Sequence, residues 1–245
     1  MLLKRLLNFI IQIKCRYLFT NSIVRIEKKG TYKIGCKVCI SNSRIFVSQD
    51  SVLEIEDNVI IKNTNLYIKG KVFIGENSMI ERGYQSINTI IRVEGNMLLA
   101  NNSRLRCNIR IRFGGNLQIG CYTNINEETE IRVDDSVTIG DYNQISYKCI
   151  IWDTNTHNIY QDEERRKLAE EYFPVFGYEY EKPKTKPVFI GDDCWIGREV
   201  AILKGVKINN SSIIGFRTTL SNCEIEKNKI VVSENKNIII ERNKR

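Results

Sequence analysis

The sequence is poor in histidine and proline, with one and three in 245 residues, and it has only two tryptophans and three methionines. No run of about 18 apolar residues is present, so no membrane-spanning helix is expected. No segment has the charged start, apolar middle and small-residue cleavage site of a signal peptide. Low-complexity tracts are absent. Apolar content is 42%, ordinary for a globular chain, and the length suffices for one sizeable core and a small appendage. Cysteine is less scarce, at eight. However, Cys36-Lys37-Val38-Cys39 lacks the second pair or the histidines that a zinc site needs, so no metal is expected. Cys149 and Cys194 fall four residues after Ile145 and Ile190. The cysteines read as reduced core filler, in keeping with a cytoplasmic protein.

Acidic residues are missing from one region only. Residues 1–40 hold nine Lys and Arg against a single acid, Glu27, while the remainder is balanced at 28 of each sign. The formal charge of +8 therefore belongs to a basic arm. With neutral charge elsewhere and no reader motif, nucleic acid is not an expected partner. Residues 1–19 follow a helical period, with Leu2, Leu6, Phe9, Ile13 and Tyr17 on one half of the wheel and Lys4, Arg5, Asn8 and Arg16 on the other. Such a helix either caps a core or lies on an anionic membrane at the inner face.

What is abundant is a six-residue period. Ile190-Gly191, Ile196-Gly197, Ile202-Leu203, Ile208-Asn209, Ile214-Gly215 and Leu220-Ser221 follow one another without a slip. A helix repeats near 3.6 and a lone strand at 2; a hexad repeat marks an all-β parallel β-helix. The same period is ragged over 33–117 and clearer from Ile119-Gly120 through Ile125, Ile131, Ile139-Gly140, Ile145 and Ile151. The phase then breaks until Ile190. A long structure-poor insertion is uncommon and usually functional, and all three prolines lie within it, at 174, 183 and 187. The expected organisation is an arm over 1–30, a β-helix over 31–223 carrying an inserted loop over 157–189, and a tail over 224–245. The charged stretch from Asp162 to Tyr172 reads as helix-prone.

The lone histidine opens that loop, in Asp153-Thr154-Asn155-Thr156-His157-Asn158-Ile159. A histidine can accept a proton near neutral pH, and Asp153 and Asn155 lie close enough in sequence to orient its ring. This segment, with Ile190-Gly191-Asp192-Asp193-Cys194-Trp195-Ile196-Gly197 and Ile202-Leu203-Lys204-Gly205-Val206, resembles the hexapeptide-repeat acetyltransferases, in particular those acting on bacterial sugars and surface polysaccharides. The strong resemblance covers about residues 119–222.

The resemblance implies a left-handed β-helix, a homotrimer, and acetyl-coenzyme A bound between subunits. His157 would be the general base for direct transfer to a glycan hydroxyl. Trp195, Gly197 and Arg198 would border the acetyl and pantetheine arm; Phe216, Arg217 and Lys236 would lie along the rest of the coenzyme. Asp134 and Asp135 resemble an acidic pair near the acceptor. The sequence departs from the family pattern in three places. Asn155 replaces an aspartate, Gly215-Phe216-Arg217 replaces a Gly-Ala-Gly, and Ser233-Glu234-Asn235-Lys236-Asn237 replaces a Gly-Asn-Pro-Ala-Lys signature. The alternatives are an inactive β-helix scaffold and an acetyltransferase of a small non-glycan acceptor. The carbonic anhydrases built on this kind of solenoid need three histidines and are excluded.

Overall fold

An aliphatic residue at every sixth position buries itself only if each hexad turns a corner and stacks on the next coil. The computed structural model describes residues 18–83, 88–174 and 181–234, and they form a parallel β-solenoid of about ten turns, consistent with the left-handed form. Each turn gives one strand to each of three parallel sheets. Face A has ten strands, from Leu18–Thr20 to Ile230–Val231. Face B has nine, from Ile23–Ile26 to Thr219–Leu220, and face C has nine, from Thr31–Ile34 to Glu224–Ile225.

Register puts like on like. Ile40, Ile61, Ile80, Leu105, Ile125, Ile145, Ile196 and Ile214 are consecutive partners under face A, and all are fully buried. β-branched side chains suit such a pleated, packed surface. Each contributes about 1.5–3 kcal/mol by leaving water.

The glycine behind the aliphatic residue has a steric cause. A Cβ on Gly140 would fall on the Asp192 carboxylate of the next turn, which accepts the N–H of Asp141 at 2.9 Å. Asp57, Asn101, Asp141 and Asn210 do the same for Cys36, Glu76, Cys121 and Asp192. Deeper in, Thr123 takes the N–H of Asn143 and donates to the carbonyl of Gly140, and Asn143 takes the N–H of Cys194. The buried polar groups of this corner are thus satisfied turn by turn.

The coils reach beyond the boundaries expected from the repeat. Strands at Leu18–Thr20 and Ile23–Ile26 lie inside the expected arm, and those at Glu224–Ile225 and Ile230–Val231 inside the expected tail. Leu18 and Phe19, expected as the end of a helix, pair with Cys39 and Ile40; the rest of that helix lies outside the described residues. The loop leaves after Trp152 and returns at Val188. Its base closes earlier than expected because Thr154 and Thr185 form an antiparallel bridge. The charged stretch is indeed a helix, α1 (Asp162–Tyr172), and buries no residue. Cys107, Cys149 and Cys194 are core filler as expected, whereas Cys36 is exposed and Cys39, Cys121 and Cys223 are half-buried.

Candidate active site

The inserted loop springs from the corner between faces B and C, and a buried ionic network holds that corner. Arg112, one turn below Asp134, donates to it through Nε at 2.8 Å and Nη2 at 2.6 Å. Thr154 Oγ1 donates to the same carboxylate at 2.6 Å. One turn above, the Asp153 carboxylate accepts the N–H of Asp134 at 2.8 Å and of Asp135 at 2.7 Å. Burial pushes the Asp153 carboxyl up from its ordinary range, and these N–H donors pull against it. Asp134 is fully buried. It is therefore a structural partner of Arg112 and not a surface for an acceptor, which corrects its expected role. Asp135 is half-buried and 3.5 Å from Lys182 of the loop.

The network ends beside the histidine. Arg112 Nη2 also donates to the carbonyl of Thr156 at 2.9 Å, and Thr156 N–H donates to Thr154 Oγ1 at 3.0 Å. Thr156 sits at φ 69°, a left-handed conformation that a β-branched residue rarely adopts. The next residue, His157, is exposed. Its Nδ1 lies 3.3 Å from the carbonyl of Asn158. With Asn158, Ile159, Tyr160 and Arg165 it lines a pocket of about 300 Å³. Asn158 and the Tyr160 hydroxyl both donate to Glu181, at 3.3 and 2.9 Å, tying this wall to the returning limb of the loop. Asn155 is half-buried and its N–H donates to the carbonyl of Lys184. Asp153 and Asn155 thus fix the base of the loop; the ring orientation expected of Asp153 is replaced by two backbone N–H contacts.

The other expected residues gather at a different place, the end of face A and the corner between faces A and B. Trp195 is 52% exposed on face A. Gly197 passes close to the backbone of the next turn, where a Cβ would stand 2.9 Å from the Ile214 carbonyl. Phe216 is 52% exposed, and the Arg217 guanidinium lies 4.7 Å from its ring centroid. Arg217 and Arg198 both pair with Glu199, at 2.7 and 3.1 Å. The hydrogen bond from Arg217 holds the Glu199 carboxyl below its ordinary range. Lys236 lies outside the described residues.

The candidate residues therefore form two clusters, one at each corner bounding face B. Arg112 and Thr154 were not singled out from sequence. The available signal was spacing: Arg112 and Asp134 lie 22 residues apart, about one turn of this solenoid.

The fold and the site define a parallel β-solenoid with a braced, histidine-bearing loop at one corner. No known family profile matches the sequence. A protein of Escherichia coli (strain K12) provisionally named as a colanic acid biosynthesis acetyltransferase, WcaF, is 22% identical over 122 residues, covering 50% of this chain and 57% of that protein. The Shigella flexneri protein of the same name gives the same figures. The chain thus spans little more than half the length of these curated relatives. Among solved structures, the polysialic acid O-acetyltransferase OatWY aligns with a TM-score of 0.53 at 20% identity, over 94% of this chain and 92% of that one. The two share a fold.

Proposed function

We propose that this chain is an acyltransferase that moves the acetyl group of acetyl-coenzyme A to a hydroxyl of a surface polysaccharide or its precursor. The observation that carries the reading is the presentation of His157. A buried ion pair and a left-handed Thr156 cost stability and persist only where the surroundings hold them, and what they hold is the sole imidazole of the chain. The similarity to proteins named as polysaccharide acetyltransferases supports the same reading.

In this mechanism His157 removes the proton of an acceptor hydroxyl as its oxygen attacks the thioester carbonyl. The C–S bond breaks, coenzyme A leaves as the thiolate, and the proton passes from His157 to the sulfur. The backbone N–H at Arg198 would stabilise the developing oxyanion, since that of Gly197 already donates to the Ile214 carbonyl at 2.7 Å. Trp195 and Phe216 offer exposed rings to the coenzyme arm, and Arg198 and Arg217 offer charge to its phosphates. Asp135 remains as an acceptor contact. A single chain presents these groups at separate corners, so a second copy placing its A–B corner against the His157 corner would complete the site. A homotrimer supplies three such junctions.

No helix among the described residues is long and apolar enough to cross a membrane. Cytoplasmic location, with the basic arm on the inner membrane face, completes the reading. Among the described residues no group of three candidate metal ligands occurs, and no step above uses a metal. The test is to incubate the purified chain with acetyl-coenzyme A and candidate glycans, following thiol release and acetyl ester by mass spectrometry. Thiol release that requires a glycan supports the reading. A chain that produces neither thiol nor ester across acidic and neutral glycans is a scaffold.

A further inference from the structure

The pocket beside His157 has a wall that the transfer step itself does not use. His157, Asn158, Ile159 and Tyr160 line it from the outgoing limb of the loop, and Arg165 lines it from α1. Its volume of about 300 Å³ is at the small end for ligand sites and suits one ring of a glycan rather than a stretch of polymer. Both donors to Glu181 converge on a single oxygen. The Tyr160 hydroxyl donates to Oε2 at 2.9 Å, and Asn158 Nδ2 donates to the same atom at 3.3 Å. Oε1 accepts no hydrogen bond from the described residues. The cation that lines the pocket, Arg165, pairs with Asp162 at 2.9 Å. Lys182, next to Glu181 in the chain, reaches Asp135 at 3.5 Å. Tyr160 therefore feels the negative charge of Glu181, and of Glu164 as well.

An ionised carboxylate can only accept hydrogen bonds. With Oε2 held by two donors, Oε1 is oriented to receive a third, and a bond to an ionised oxygen is stronger than one between neutral groups. A sugar hydroxyl is such a donor. Ile159 is 84% exposed and offers an apolar surface to the C–H face of the ring. A carboxylate on the sugar would instead set a like charge against Glu181, and the lining cation is already engaged. The occupant that meets these conditions is uncharged and carries at least two hydroxyls, one held by Glu181 and one left to His157.

We propose that Glu181 sets acceptor specificity: the pocket takes an uncharged, hydroxyl-rich sugar residue, hydrogen-bonded by this carboxylate, and rejects acidic ones. The inference rests on the acyltransferase reading for calling this sugar the acceptor, though not for its binding. The test is NMR titration of the full chain with the methyl glycosides of glucose, galactose, fucose and N-acetylglucosamine, and with those of galacturonic and sialic acid. At least one neutral glycoside should bind, and the acidic ones should not. Glu181→Gln preserves the wall, because its amide oxygen still accepts from Tyr160 and Asn158, but it removes the charge. Neutral binding should weaken about tenfold in this variant, and the preference for neutral over acidic glycosides should shrink. A control losing a charge from α1 outside the pocket, Glu163→Gln, should keep both affinity and preference.

Unchanged affinity and preference in Glu181→Gln would overturn the assignment. So would a native chain that binds none of the neutral glycosides, or binds the acidic ones as tightly. An equal loss in Glu163→Gln would make the effect a general one of charge and overturn it too. Transfer assays with neutral and acidic glycans separate this inference from the reading beneath it. Neutral glycosides that bind as expected in a chain that acetylates no glycan would defeat the acyltransferase reading and leave the pocket standing. Transfer to acidic glycans alone would do the reverse.

Discussion

Asp134 and Arg112 form an ion pair with almost no access to water, their side chains 0% and 8% exposed. The desolvation of both charges is offset only while each has its partner. Removing the carboxylate takes away the ionic partner of a buried guanidinium. Asp134→Ala should therefore lower unfolding free energy by about 3–5 kcal/mol, read from urea titration of the variant against the native chain; a loss under about 1 kcal/mol would show that water reaches the pair. Cysteines make a second residue-scale case. Burial pushes the Cys107 thiol up to about 12, and the thiolate is the reactive form. Iodoacetamide at neutral pH should modify exposed Cys36 and spare Cys107 until the chain unfolds, as peptide mass mapping would show. The role of His157 as a candidate was legible from its being the only histidine. The Arg112–Asp134 pair was not, because its partners are local in space but a full turn apart in sequence, and the turns vary in length.

At the scale of the element, the corner glycines are not interchangeable with alanine. A methyl on Gly140 meets both the Asp192 carboxylate and the Gly191 backbone, so the corner must open to accept it. Gly140→Ala should cost about 1–3 kcal/mol, visible as a lowered melting temperature, whereas unchanged melting would mean the turns slide apart freely. Helix α1 is the opposite case. It buries nothing and spans 11 residues, short of what an isolated helix needs to be stable in water. Its amides should exchange with solvent far faster than those of Ile139 or Ile196, and protection equal to theirs would require a partner packed on the helix. The hexads over 190–221 were readable because turn length there is constant. The first strands, at 18–26, were hidden by a helical pattern of apolar residues that ran on into Leu18. The base of the loop was misjudged because Asp153 to Asn155 pair with Lys184 to Lys186, contacts that no period announces.

As a whole molecule, the solenoid is close to one-dimensional: each turn leans on its two neighbours. Its interior is a continuous aliphatic stack, so function is confined to corners and faces. The repeat made the architecture legible, and the break in the repeat located the loop. The separation of the expected residues into two clusters became visible only once the turns were stacked, since residues 157 and 198 belong to consecutive turns but lie at different corners. The proposed function has the scaffold present His157 to an acceptor hydroxyl. It is tested most directly by turnover of acetyl-coenzyme A with the glycan acceptor in native protein and in His157→Ala. Loss of the base should lower kcat by about 10²–10⁴-fold with little change in coenzyme affinity. Full turnover in the variant would contradict the account.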